Sequence, residues 1–157
     1  MNVTAYVDKS LILDMTFDSG TLHVLRADVQ AHASLAGFAD HRVGDLVLAI
    51  HELAANAVHH GAGAGRLRVW NVAGVLHCQV DDGALASGDP AAPGAGHADG
   101  EATETEIPPG PRVVDSWRAT RGHGLWVVQQ VADQLELTSG AQGTRATITF
   151  SPPPRPQ

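Results

Sequence analysis

The chain has 157 residues, of which 43% are hydrophobic, and its 17 acidic against 10 basic side chains give a formal net charge of −7. This is the length and composition of one globular domain with a full core. The acidic balance excludes a broad basic surface for nucleic acid or for an anionic membrane. Because Lys9 is the only lysine, a phosphate site must depend on arginine, backbone amides or a metal ion, and a Walker A motif is excluded.

Two further features of the sequence indicate the compartment. Cys78 is the single cysteine, so it cannot form an internal disulfide. No apolar run approaches the ~20 residues that a membrane-spanning helix needs. We therefore expect a cytoplasmic protein without membrane contact.

The first half of the chain predicts one strand followed by two helices. The segment LILDMTF, residues 11–17, reads as a strand, and DSG, residues 18–20, reads as its turn. Apolar residues then recur at helical spacing over residues 21–36, and Gly37 is a suitable stop. A second helix is predicted over residues 40–61.

The second helix separates apolar from polar residues. At about 100° per residue, one arc collects the apolar side chains and the opposite arc collects polar ones. The apolar arc contains Val43, Leu46, Ile50, Leu53 and Ala57, and the polar arc contains Asp45, Glu52, Asn56 and His59. The segment HELAANAVHHG begins like the zinc-protease motif HExxH, but Ala55 occupies the place of the second histidine ligand, which excludes that site. We expect the apolar arc to pack and the polar arc to carry a different site.

The second half of the chain is dominated by strands. RLRVWNV and VLHCQVD flank Ala73 and Gly74 and predict a hairpin. Residues 84–120 are rich in glycine, proline, alanine and acidic residues, which predicts a long loop that is either a lid over a site or simple disorder. A third helix is predicted after the glycines of RGHGLWVVQQVADQLEL, and a second hairpin is predicted around GAQG, residues 140–143. The spacing that indicates the helix involves Leu125, Val128, Val131 and Leu135.

This order of elements predicts the fold class. Hairpins rather than crossovers join most strands, which favours an α/β two-layer sandwich, with a mostly antiparallel sheet covered on one face by about three helices. We expect residues 1–150 to form a single domain. The proline-rich tail, residues 151–157, is expected to be disordered.

Three polar motifs occur in order along these elements. They are E-x-x-x-N at Glu52 and Asn56, D-x-G at Asp81 and Gly83, and G-x-G-L from Gly122 to Leu125. This combination, with a long loop before the third motif, resembles the Bergerat ATP-binding domain of gyrase, histidine kinases and mismatch-repair proteins, over residues 22–150. The larger members need a transducer domain or a dimerisation helix pair, so the chain is most similar to the short anti-sigma-factor serine/threonine kinases of actinobacteria.

The resemblance implies specific roles for the first two motifs. It assigns Mg²⁺ to Asn56, whose amide oxygen is a hard ligand, and it makes Glu52 the catalytic base that accepts a proton from the attacking hydroxyl. It assigns the adenine base to Asp81, with Asp82 as the neighbouring alternative. Gly83 lets the backbone pass close to the ring.

The third motif is assigned to the phosphates. Bare backbone amides and the positive end of the helix dipole can face them where the loop meets the third helix. The nucleotide-contacting residues that the resemblance implies here are Arg121, Gly122, His123, Gly124 and Leu125. Arg121 would add a positive charge beside the phosphates. Thr144 matches a Gly-Thr pair that the family places near the adenine base.

Two departures from the family pattern affect this expectation. Leu85 replaces the usual second glycine of the D-x-G-x-G motif, which narrows the nucleotide pocket or marks a different path of the loop. The loop is also long and acidic, with a cluster at Asp99, Glu101, Glu104 and Glu106.

The resemblance implies an ATP- and Mg²⁺-binding regulator that phosphorylates a serine or threonine of an anti-anti-sigma protein and sequesters a sigma factor. A homodimer is compatible with this expectation. The alternative is a module that binds nucleotide or protein without phosphoryl transfer.

Overall fold

The computed structural model describes residues 9–87 and 124–152. Within these residues the chain forms five strands, three α-helices and one short 3₁₀ helix. They follow in the order β1 (Lys9–Asp18), α1 (Leu22–Leu35), α2 (Asp40–His60), β2 (Ala64–Val72), β3 (Val75–Asp82), the 3₁₀ helix (Gly83–Ser87), α3 (Gly124–Val131), β4 (Gln134–Gly140) and β5 (Gly143–Phe150). This is the order of elements that the sequence predicts.

The strands form one sheet in the order β1-β2-β3-β5-β4, and all neighbours are antiparallel. The β2–β3 hairpin turns at Ala73 and Gly74, whose φ angles of 53° and 89° are both positive. Positive φ at both central residues is the geometry of a type I′ turn, whose twist matches that of the strands it joins. The Asn71 side chain accepts a hydrogen bond from the Gly74 amide at 2.9 Å and closes the turn.

The helices cover one face of the sheet, and the core lies between the two layers. The apolar arc predicted for α2 is buried: Val43, Leu46, Ile50, Leu53 and Ala57 are each at most 5% exposed. These side chains share one hydrophobic cluster with residues of the central strands, including Leu76, Cys78, Val80 and Ile148. Full burial of each large aliphatic side chain contributes about 1.5–3 kcal/mol. The predicted α/β two-layer sandwich is therefore confirmed.

The third helix is shorter than its apolar spacing suggests. It ends at Val131, and Leu135 lies in β4 rather than on the helix. The chain leaves the helix because the Asp133 amide donates a hydrogen bond to the Thr149 carbonyl at 3.0 Å and so enters the sheet. The helical spacing of Leu135 is thus wrong, and the residue lies in the second hairpin, whose strands LELTS and TRATITF the sequence also predicts.

The predicted long loop is described only at its beginning. The 3₁₀ helix Gly83–Ser87 occupies its first residues, where the Ala84 and Leu85 amides both donate to the Gln142 carbonyl, at 2.8 and 3.3 Å. The rest of the loop and residues 153–157 lie outside the described residues. None of the helices within residues 9–87 and 124–152 combines the length and the hydropathy that a bilayer-spanning segment requires.

Candidate functional site

The first and third motifs meet where α3 begins beside α2. A Cβ atom placed on Gly124 would lie 2.7 Å from Glu52 Oε2 and 3.8 Å from Asn56 Nδ2. Glu52 and Asn56 are one helical turn apart on α2 and are both half-buried. The structure therefore brings together three of the predicted site residues that are up to 72 positions apart in the sequence.

Helix α3 is held in this place by its apolar side. Leu125 is 4% exposed and Val128 is fully buried, and both belong to the hydrophobic core. Because the Leu125 side chain faces the core, a nucleotide contact from this residue would have to come from its backbone. Arg121, Gly122 and His123 lie outside the described residues.

A cavity of about 370 Å³, which is widely open to solvent, lies beyond Asn56, at the C-terminal end of α2. Its walls come from that helix end, the end of β3, the 3₁₀ helix and the β4–β5 turn. Its lining includes His60, Gly61, Asp82, Gly83, Gln142 and Thr144. The volume lies in the range of small-molecule sites. Gly83 and Thr144 were predicted to contact the nucleotide, and both lie here.

Asp82 supplies the buried carboxylate of this cavity. It is 4% exposed, and its Oδ1 accepts a hydrogen bond from the Thr144 amide at 2.6 Å. Its Oδ2 lies so close to Gly61 that a Cβ atom at that position would collide with it. Gly143 also has no room for a side chain, since a Cβ atom there would lie 2.7 Å from Asp82 Oδ1. The two glycines therefore make the space in which the carboxylate sits.

Asp81 is the residue that the resemblance assigns to the adenine ring, and it does not line this cavity. Its Oδ1 accepts a hydrogen bond from Arg145 Nε at 2.7 Å, and its Oδ2 accepts one from Gln79 Nε2 at 2.8 Å. Arg68 Nη2 lies 3.4 Å from the same Oδ2. These partners lie on the sheet face opposite the helices, so the Asp81 carboxylate does not reach this cavity.

The period of a strand explains why the neighbouring aspartate lies in the cavity. Leu76, Cys78 and Val80 alternate along β3 and all point into the core beneath the helices. Because successive side chains of a strand point to opposite faces, Asp82 continues this series and Asp81 does not. The alternation of apolar residues along β3 therefore indicates which of the two aspartates faces the helix layer, and the D-x-G spacing does not.

Gly83 combines a close approach with an unusual backbone angle. Its φ is 62°, in the left-handed region, and a Cβ atom there would lie 2.7 Å from the Gln142 carbonyl oxygen. Both conditions favour glycine. The 3₁₀ turn that contains Leu85 is thereby tied to the β4–β5 turn. Leu85 itself is half-buried and is not among the residues that line the cavity.

The donor chemistry of the two regions is compatible with ATP and Mg²⁺. Asn56 offers a neutral amide oxygen, which suits a hard cation that takes most of its ligands from phosphates and water. The start of α3 offers backbone amides at the positive end of a helix dipole. Asp82, in the cavity, offers a buried acceptor for an amino group.

Comparison with known proteins agrees with this arrangement. A search among curated proteins gave no match. Residues 15–150, most of the chain, match the family model of the histidine kinase-like ATPase domain. The match spans all the described elements from within β1 to the end of β5. The chain therefore belongs to the histidine kinase-like ATPase domain family, whose members bind ATP.

Proposed function

We propose that this protein is a cytoplasmic regulator of the anti-sigma-factor kinase type. It binds Mg·ATP along α2 and transfers the γ-phosphoryl group to a serine or threonine of an anti-anti-sigma protein, and it sequesters a sigma factor. The observation that carries the proposal is the close approach of Gly124, the first residue of α3, to Glu52 and Asn56, because it puts a candidate base, a candidate metal ligand and backbone amides side by side.

The adenine end of the nucleotide is assigned to the cavity. Asp82 is buried there with one oxygen bonded to the Thr144 amide, so the carboxylate is held in a fixed orientation. A carboxylate in this position accepts a hydrogen bond from an exocyclic amino group and discriminates against a base that has a carbonyl instead. In this proposal Asp82 takes the role that sequence reasoning gave to Asp81.

The phosphates are assigned to the space between α2 and α3. Asn56 lies one turn before His60, so a nucleotide with its base in the cavity would extend its phosphates along α2 toward Asn56 and Gly124. Mg²⁺, when bound, would neutralise phosphate charge. Asn56 would hold it through the side-chain oxygen, and the first amides of α3 would face the phosphate oxygens.

Glu52 is proposed as the base. The oxygen of the acceptor hydroxyl forms a bond to the γ-phosphorus, the bond to the ADP oxygen breaks, and the hydroxyl proton passes to the Glu52 carboxylate. The carboxylate is half-buried and lies one turn of α2 from the proposed metal ligand Asn56, where it can meet a hydroxyl that approaches the last phosphate.

The test compares two variants by two measurements. Glu52→Gln keeps the size of the side chain but removes the proton acceptor, so ATP affinity should persist while transfer falls by about 10² to 10⁴. Asn56→Ala should instead weaken Mg·ATP binding itself. Glu136→Gln, on the exposed side of β4, makes the same chemical change away from the site and should leave both properties intact.

The measurements are transfer of radiolabelled phosphate to a purified anti-anti-sigma protein and calorimetric titration of ATP. Transfer by Glu52→Gln at the parent rate would refute the assignment of the base. If the parent binds ATP but never transfers phosphate to such proteins, the protein is instead a module that binds nucleotide or protein without phosphoryl transfer.

A further inference from the structure

We infer that Arg42 is a positioning residue for the ATP site, because it fixes the far end of α3 and thereby sets where Gly124 meets Glu52 and Asn56. The inference rests on the proposed function, in which the start of α3 faces the phosphates. Arg42 lies in the first turn of α2, ten residues before Glu52.

The Arg42 guanidinium contacts three separate parts of the fold. Its Nη1 donates to the Val131 carbonyl at 2.9 Å, and Val131 is the last residue of α3. Its Nη2 donates to both carboxylate oxygens of Asp133, at 3.2 and 3.3 Å. The group also stacks over the Phe150 ring at 4.6 Å. A side chain that is only 21% exposed thus joins α2 to the end of α3 and to β5.

The second partner of Arg42 is itself held in place. Asp133 Oδ2 also accepts a hydrogen bond from the Ser151 amide at 2.6 Å, and the Asp133 amide donates to the Thr149 carbonyl. The segment after α3 is therefore tied to the end of β5 by backbone and side chain. Arg42 thus connects α2 to a segment that is itself hydrogen-bonded to the end of β5 and to the residue after it.

The contacts at the two ends of α3 determine how it lies on α2. Val131 meets Arg42 and Gly124 meets Glu52, so α3 runs antiparallel to α2. The helix has eight residues and two buried side chains, Leu125 and Val128. At 1.5 Å per residue it is only about 12 Å long. The buried side chains hold α3 against α2, and the directed hydrogen bond to its last carbonyl adds a fixed point along the helix axis.

Arginine is required for this arrangement. A planar guanidinium can donate to a carbonyl and a carboxylate at once while its face covers an aromatic ring, and an ammonium group cannot reproduce this geometry. Arg42→Lys therefore keeps the charge but loses the anchor. Arg42→Gln loses both the charge and the anchor.

The first test measures affinity for ATP and for adenosine, by NMR titration below the melting temperature. ATP binding by Arg42→Gln and Arg42→Lys should weaken by roughly three- to thirtyfold, the range of energetic coupling between linked sites. Adenosine affinity should be unchanged, because the cavity at the other end of α2 does not depend on α3. Arg26→Gln, at an exposed position of α1, makes the same charge change and should match the parent.

Equal loss of ATP and adenosine affinity would mean that Arg42 only supports the fold, and unchanged ATP affinity would also overturn the inference. The second test needs no nucleotide. Amide hydrogen exchange of α3 should accelerate in both Arg42 variants while α1 exchanges as in the parent, and unaltered exchange would refute the anchor. A parent protein that binds no ATP would refute the proposed function, and the exchange measurement would still decide whether Arg42 holds α3.

Discussion

Replacement of Gly124 by alanine should lower phosphoryl transfer and leave the stability of the fold nearly unchanged. The Cβ atom of Gly124→Ala would lie 2.7 Å from Glu52 Oε2, whereas ordinary contacts begin at 3.4 Å. The atom that it meets is the end of a flexible side chain, so the Glu52 carboxylate should give way and not the backbone. An outward movement of about 0.7 Å would restore normal contact.

The two effects of this movement differ in size. Alanine is better than glycine in a helix interior by about 0.5–1 kcal/mol, which is an upper limit for Gly124 as the first residue of α3, and turning Glu52 to another rotamer costs about 0.5–1.5 kcal/mol. These terms nearly cancel, so the free energy of unfolding should change little. For a proposed base the movement matters more, because a misplacement on the order of 1 Å can lower a rate by about 10²-fold.

The assay measures phosphoryl transfer and the melting temperature of Gly124→Ala and of a matched control. Gly44→Ala is the same substitution in a helix, at a position where a Cβ atom would meet nothing within 4 Å. It should stabilise the protein by about 0.5–1 kcal/mol and leave transfer unchanged. Gly124→Ala should lose about ten- to a hundredfold in transfer. Full activity of Gly124→Ala would show that the placement of Glu52 beside α3 is irrelevant to the reaction.

Three other predictions concern binding and stability. Mg·ATP at 100 times its dissociation constant should stabilise the protein by about 2.7 kcal/mol, which raises the melting temperature by about 5–10 °C; no shift at millimolar ATP would contradict nucleotide binding. Asp82→Asn should weaken ATP binding, whereas Asp81→Asn should lower the melting temperature and leave ATP affinity unchanged in a titration. The hydrogen bond from Arg66 lowers the pKa of Asp14 from its ordinary value of 3.8, so this carboxylate stabilises the fold above that pH and ceases to do so as the pH falls through its lowered pKa. Asp14→Asn should therefore melt below the parent at pH 7, and the difference should shrink below about pH 4 in thermal scans; a difference that grows in acid would refute the role of the Asp14–Arg66 pair.

Elements that depend on local periodicity could be predicted from the sequence. The apolar arc of α2 follows from a spacing of three and four residues, and the burial of Leu46, Ile50 and Leu53 confirms it. The turn at Ala73 and Gly74 follows from the same kind of local rule, because two residues, of which Gly74 tolerates positive φ, separate two alternating segments. The positive φ of Ala73 does not follow from this rule, since alanine disfavours that conformation.

Contacts between distant segments could not be predicted in this way. Arg42 and Asp133 are 91 positions apart, and nothing in the spacing of either residue indicates the other. Their contact depends on where the end of α3 lies on α2, which is decided by the packing of the whole helix layer. The same holds for Gly124 and Glu52: the motifs indicate that each is functional, but only the fold gives the contact between them.

The two aspartates at the end of β3 test whether strand geometry or motif spacing better predicts the residue that binds adenine. Asp81 is fully buried among Arg68, Gln79 and Arg145, and removal of one partner from a buried ion pair costs about 3–5 kcal/mol. Asp81→Asn should therefore lower the stability of the fold substantially. It should leave ATP affinity unchanged, because Asp81 lies on the sheet face that does not line the cavity. Asp82→Asn keeps an oxygen for the Thr144 amide but brings a second donor toward an adenine amino group, so ATP affinity should fall by about tenfold or more while stability changes less. Loss of ATP affinity in Asp81→Asn with normal binding by Asp82→Asn would restore the assignment made from the D-x-G spacing.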